Sequence, residues 1–297
     1  MTPGNRARAH DFDPEVLIAF DAYVHGELDR RGFLRRLGQL VGGAAAAGVA
    51  AALMPRFVQA RQVDEDDPRI EAGHVAFDAP AGHGEGRGYL VRPADAAGPL
   101  PLVLVAHENR GLNPHIEDVA RRLALAGYIA FAPDALHPLG GYPGDEDQAR
   151  ALFATLDQDR TRQDFLAAVD HLAAVPGGNG RLGAVGFCWG GAMVNFLATR
   201  VPALRAAVPF YGGPAPLDAV DAIRAELLVV LASDDPRVNA TWPGYRDALD
   251  AAGVTWALYQ PEDTLHGFHN DTTPRHAPAP AREAWARTLA LFERTLR

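Results

Sequence analysis

Gly186-Phe187-Cys188-Trp189-Gly190-Gly191 stands between a strand-like apolar run, residues 181–187, and a helix-like run, residues 190–199. A strand that enters a helix through glycines framing one reactive side chain is the G-x-nucleophile-x-G turn, here with Cys in place of Ser. The glycines are required because side chains before and after the nucleophile would collide in so tight a turn. The turn lifts the sulfur above the sheet edge, at the positive end of the following helix, which favours thiolate over thiol.

Outward from this turn the same alternation repeats. Residues 100–106 are apolar throughout, as a strand covered on both faces must be. Residues 115–126 read as a helix, opened by Pro114 and closed by Gly127. Strands are expected at 88–91, 128–132, 206–211, 227–232 and 254–259. Helices are expected at 150–174 in two pieces, around 245–252, and at 281–296. Residues 137–147, rich in Gly and Pro, read as a loop over a site. Alternating strand and helix predicts an α/β protein, with a mostly parallel sheet carrying helices on both faces and one catalytic domain at 70–297.

A nucleophile in such a sheet takes its base and orienting acid from later strand ends. Ser233-Asp234-Asp235-Pro236-Arg237 follows one late strand, and His266-Gly267-Phe268 follows the next. His266 would accept the thiol proton, and one of the two aspartates would fix its tautomer. Gly267 would leave room for a substrate, and Trp189 and Phe268 would offer it aromatic surface. The loop His107-Glu108-Asn109-Arg110-Gly111 ends an early strand. Backbone N–H groups of Asn109 and Trp189 would form the oxyanion hole. Glu108 sits either close to the nucleophile or on the surface, paired with Arg110.

Composition narrows the chemistry further. The chain has 297 residues, 48% of them apolar and 22% charged, the balance of a globular protein. A net charge of −9 argues against a nucleic-acid partner. All 28 basic residues are Arg, which removes Schiff-base lysine chemistry and a P-loop lysine. One Cys permits neither an internal disulfide nor a multi-cysteine metal site. His266, His269 and His276 are irregularly spaced for a metal, so neither metal nor cofactor is expected.

Residues 1–60 read as an address. Arg30-Arg31-Gly32-Phe33-Leu34-Arg35 precedes a weakly hydrophobic run at 40–53, the pattern of a twin-arginine export signal. The run is too short to span a bilayer of roughly 30 Å. Val58-Gln59-Ala60 predicts cleavage near Ala60, giving a periplasmic or extracellular protein that the twin-arginine export machinery would carry. Ahead of the arginine pair, Val16, Ile18, Phe20, Tyr23 and Val24 give residues 12–28 a helical pattern of their own. Residues 61–69 read as an exposed acidic linker.

Gly-Phe-Cys188-Trp-Gly-Gly, His107-Glu108-Asn109, Asp235-Pro-Arg-Val-Asn and His266-Gly-Phe together resemble the dienelactone hydrolase (carboxymethylenebutenolidase) family, over nearly all of residues 70–297. The N-terminal region resembles an exported branch of it. The resemblance implies the α/β-hydrolase fold, hydrolysis of small esters or lactones through an acyl-thioester, and a Cys188, Asp235, His266 triad. It also implies that Glu108 holds the thiol in the resting enzyme. Departures concern the substrate. The two arginines with which the family holds dienelactone's carboxylate are replaced by the His137-Pro138 region and Asn270. A neutral ester or lactone is therefore the expected substrate, unless Arg110 or Arg237 turns into the site. A non-catalytic binding protein that keeps this fold is the competing reading. So is a glutaminase-type amidotransferase, which would place an acid two residues after the base, where Phe268 stands.

Overall fold

The computed structural model describes residues 7–297, so the first six residues of the expected signal region lie outside the described residues. Four helices come first: α1 (Pro14–His25), α2 (Arg30–Val41), α3 (Gly43–Leu53) and α4 (Phe57–Ala60). Strands β1 (Ile70–Ala79), β2 (Gly84–Pro93) and β3 (Leu100–Ala106) lead to α5 (Pro114–Leu125) and β4 (Ile129–Pro133). Helices α6 (Glu146–Phe153) and α7 (Gln158–Ala173) precede β5 (Gly178–Phe187), α8 (Trp189–Arg200) and β6 (Leu204–Phe210). The chain ends with β7 (Glu226–Val230), α9 (Pro236–Asn239), α10 (Trp242–Ala251), β8 (Trp256–Tyr259) and α11 (Pro278–Leu296).

The strands form one eight-stranded sheet in the order β1-β2-β4-β3-β5-β6-β7-β8. β1 and β2 pair antiparallel, as do β2 and β4; from β4 to β8 every pairing is parallel. Alternate residues of β3 serve opposite faces. Leu102 and Leu104 join one hydrophobic cluster with Phe165 of α7 and Leu197 of α8. Val103 and Val105 join another with Ile116 of α5 and Phe292 of α11. Side chains alternate across a strand, so a β3 buried on both faces has to be apolar throughout. The mostly parallel α/β architecture expected from the alternation is the one observed, and it agrees with the α/β-hydrolase fold that the resemblance implies. β1 was not expected: Glu71, Gly73, His74 and Asp78 leave its run without a strand-like alternation.

Helix starts follow their capping residues. Asn113 accepts from Ile116 N ahead of Pro114, and Asp157 accepts from the first amides of α7. Asp13 and Asp29 do the same for α1 and α2.

Residues 1–60 were expected to stand apart from the catalytic fold, but the helices they form dock on it. Val16, Phe20, Tyr23, Phe33, Leu37 and Leu53 make a third buried cluster. α2 and α3 bend by 119° at their junction, and among the described residues no single helix is long and apolar enough to cross a membrane. The expected linker is tied down at its start. Gln62 and Val63 donate their backbone N–H groups to Asp118, and Val63 is buried.

Candidate active site

β5 runs into Cys188 and α8 leaves it. Cys188 holds φ 56° and ψ −114°, a conformation that a side-chain-bearing residue adopts only under constraint. The constraint is close packing. A Cβ on Gly186 would strike the Gly190 carbonyl, and one on Gly190 would strike the Ala106 carbonyl. Backbone cannot yield as a flexible side chain can, so both positions admit only Gly. Trp189 opens α8, so its N–H is among the first-turn donors that a helix cannot satisfy internally.

The Cys188 sulfur and a ring nitrogen of His266 lie within 4.8 Å of one another, and His266 Nδ1 is 2.6 Å from Asp235 Oδ2, with both side chains buried. Of the two aspartates left open by the motif, Asp235 is therefore the one on the histidine. Asp234 instead bridges in parallel to Leu265, which carries the chain to His266. Burial opposes ionisation of Cys188, but the charge of His266 and hydrogen bonds from His25 and His266 outweigh it and bring the thiol down to about 5. Burial likewise opposes protonation of His266, and the thiolate and Asp235 reverse it, so its value is raised.

Glu108 lines the cavity that holds Cys188 and His266. Its carboxylate accepts from Asn270 Nδ2 at 2.8 Å. The expected resting contact between Glu108 and the thiol is thus not what the structure holds, because His25 takes that place. His25 Nε2 lies 3.9 Å from Cys188 Sγ and 3.4 Å from His266 Nε2. Burial pushes His25 down, yet hydrogen bonds to Asp21 and Cys188 raise it to about 9. Arg237 Nη2 is 2.9 Å from His25 Nε2; being exposed, this guanidinium can swing away when the ring is protonated.

Asn109 sits at the cavity with its side-chain Nδ2 donating to the Val24 carbonyl. Arg110 lines it too, donating to Asn109 Oδ1 at 2.6 Å and to the Val24 carbonyl at 3.1 Å. Trp189 borders a neighbouring cleft beside Cys188, stacked on His107. Phe268 is a correction. It is fully buried among Tyr211, Phe210 and their neighbours, and offers no surface to a substrate. Room beside Gly267 is also taken, because a Cβ there would lie 3.2 Å from Arg275 Nη2.

Sequence reading missed four residues here. His25 and Asp21 reach the site from α1, and Arg275 reaches it from the segment before α11. Tyr211 follows β6 at φ 37°, with its ring 4.9 Å from that of His266. Only the helical pattern around Phe20 gave a signal, and it did not say what the helix faces. His25, Cys188 and His266 bring ligand atoms within 4.8 Å of one another, the reach of a metal ion. The Arg237 guanidinium, set against the His25 nitrogen that would ligate, opposes a cation there.

Residues 87–296 match the dienelactone hydrolase family, and residues 4–42 match a separate family described as YqhI-like. A hydrolase fragment from Escherichia coli strain K12, YghX, is 56% identical over 105 residues, covering 35% of this chain and 90% of its own. A protein of the same strain described as a carboxymethylenebutenolidase is 32% identical over 246 residues, covering 78% of this chain and 90% of its own. The crystal structure of a dienelactone hydrolase from Klebsiella pneumoniae, 30% identical, superposes with a TM-score of 0.66 over 75% of this chain and 98% of that one. The chain belongs to the dienelactone hydrolase family and is a hydrolase of lactone or ester bonds.

Proposed function

We propose that hydrolysis passes through an acyl-thioester on Cys188. The observation that carries this reading is the line from Cys188 through the neighbouring His266 to its hydrogen-bonded partner Asp235, on a turn that holds the nucleophile in a constrained conformation. The thiolate attacks the carbonyl carbon of a small ester or lactone, and the C=O electron pair moves to oxygen. Backbone N–H groups of Trp189 and Asn109 stabilise that oxyanion. Collapse expels the alkoxide, which takes a proton from His266. Water then gives its proton to His266 and attacks the thioester, and the acid leaves with the thiolate restored. Asp235 keeps His266 oriented and offsets its charge. Replacing Cys188 by Ala should lower ester or lactone kcat/KM by about 10³-fold or more. Turnover at the wild-type rate in that variant would end the proposal.

The family assignment favours hydrolysis over a binding role, and the acid on His266 is Asp235 rather than a residue two positions on, which disfavours an amidotransferase. A second reading concerns location. We infer export through the twin-arginine route from Arg30-Arg31-Gly32-Phe33-Leu34 and the short apolar run of α3. Cleavage near Ala60 would spare both clusters flanking the sheet, whose earliest member is Val63.

A further inference from the structure

Beside the reacting groups stands a cation that the proposed chemistry does not use. Arg275 is only 6% exposed, and it lines the same cavity as Cys188, Glu108 and His266. Its Nη1 is 3.0 Å from Asp21 Oδ1, the ring of Phe20 lies 5.0 Å from its guanidinium carbon, and its buried Nε has no hydrogen-bond partner. Phe20 and Asp21 both belong to α1. One turn further on, His25 meets Cys188 and His266, and the Val24 carbonyl accepts from Asn109 and Arg110. A single helix end therefore delivers a carboxylate to Arg275 and a ring to the nucleophile. Those are the two positions that an acidic acyl substrate would fill.

We propose that α1 is an intramolecular plug whose Asp21 side chain fills a carboxylate-binding subsite built on Arg275, and that this subsite takes the carboxylate of an acidic ester or lactone once α1 leaves. The substrate half of this statement rests on the cysteine-hydrolase reading. A buried guanidinium is costly without an anion, and its planar fork matches a carboxylate. When Asp21 withdraws, the guanidinium beside Gly267 is left without its carboxylate, and its Nε still needs an acceptor. α1 can depart without opening the catalytic domain. Its buried residues belong to the third cluster, and neither sheet-flanking cluster contains a residue before Val63. The absence of arginines at the family's usual positions then describes a relocated cation, not a lost one. With the plug in place a neutral substrate is favoured; without it, an anionic one.

The test uses the full chain and two alkylating probes of the same size, neutral iodoacetamide and anionic iodoacetate, with the rate of Cys188 modification as readout. Asp21→Asn should raise the iodoacetate-to-iodoacetamide rate ratio by about tenfold, the scale of one charge-assisted hydrogen bond. Adding Arg275→Gln to Asp21→Asn should remove that gain, and adding Arg275→Lys, which keeps the charge and the stem, should retain part of it. A ratio unmoved by Asp21→Asn overturns the proposal, as does a gain that persists with Arg275→Gln. Because the ratio requires only a reactive thiol, it can hold in a chain whose Cys188→Ala variant still hydrolyses esters. Failure of the subsite and failure of the hydrolase reading are thus separate results.

Discussion

His25 Nε2 lies 3.9 Å from Cys188 Sγ, across 163 residues of chain. The nucleophile of the catalytic domain is thereby met by a side chain from the segment expected to carry the export signal. Two consequences follow for protonation. The thiol titrates far below its ordinary 9.0, and the histidine far above its ordinary 6.5.

The thiol should lose part of its acidity when His25 is removed. Its value of about 5 draws on charge and a hydrogen bond from His266, and on the same from His25. In His25→Ala the thiolate absorbance should therefore titrate at a higher pH than in wild type, yet still below 9, because His266 remains. Identical titration midpoints in the two proteins would show that His25 does not touch the thiol in solution.

Docking of α1 should depend on pH at both ends. The Cys188 value is depressed, so the stabilisation from its thiolate is present at higher pH and is lost as pH falls through about 5. The His25 value is raised, so its contribution is full below 6.5 and is lost as pH rises through about 9. Asp21, His266 and Arg237 face the same ring, and of these Asp21, held low by His25 and Arg275, stays ionised throughout. Hydrogen exchange of α1 amides, corrected for intrinsic rates, should be slowest between these limits. Flat protection from pH 4 to 10 would contradict the thiolate–imidazolium contact.

Asp235 and Asp234 adjoin in sequence and should differ sharply in effect. Asp235 Oδ2 is 2.6 Å from His266 Nδ1, whereas Asp234 meets Leu265 through a backbone bridge. Asp235→Asn should lower kcat by roughly 10³- to 10⁴-fold by presenting the wrong histidine tautomer. Asp234→Asn should stay near wild type. Equal losses would mean that the loop, not the carboxylate, matters.

Much of this arrangement was legible because it is carried by strand ends. The continuous apolar run of β3 marked a strand buried on both faces, and the glycine-framed Cys188 marked the junction of β5 and α8. Chain order then placed one of Asp234 and Asp235, together with His266, above the same sheet edge, and the family resemblance singled out Asp235. What stayed hidden depends on which way a side chain packs. Phe268 follows the catalytic histidine by two residues, yet its ring turns into the core. Arg275 and Asp21 are separated by 254 residues, and no local pattern announces an ion pair over that distance. β1 was missed because its polar and glycine residues leave no alternation to read.

Phe268→Ala should accordingly act on stability and not on substrate affinity. The side chain is fully buried beside Tyr211, and its removal leaves a cavity worth about 3–5 kcal/mol. Denaturant unfolding should shift by that order, while KM of the folded fraction stays within about twofold, since an aromatic that touches no substrate contributes no binding. A raised KM without loss of stability would return Phe268 to the substrate site.

Export gives the last prediction. Arg30 pairs with Asp147 at 2.9 Å, while its neighbour Arg31 is exposed, so the arginine pair lies on the surface of the folded chain. A folded enzyme that carries its signal on its own surface suits a route that moves folded proteins. Replacing Arg30 and Arg31 together by Lys preserves the charge and the helix, and removes only the paired guanidinium geometry. The doubly substituted chain should remain inside the cell. The wild-type chain should be recovered outside the cytoplasm with its N-terminus near residue 61, lacking α1 and therefore lacking both Asp21 and His25. Its thiol should then alkylate faster than that of the retained precursor. Undiminished secretion of the Lys pair would overturn the export reading, and an exported chain that still begins ahead of α1 would overturn the cleavage site.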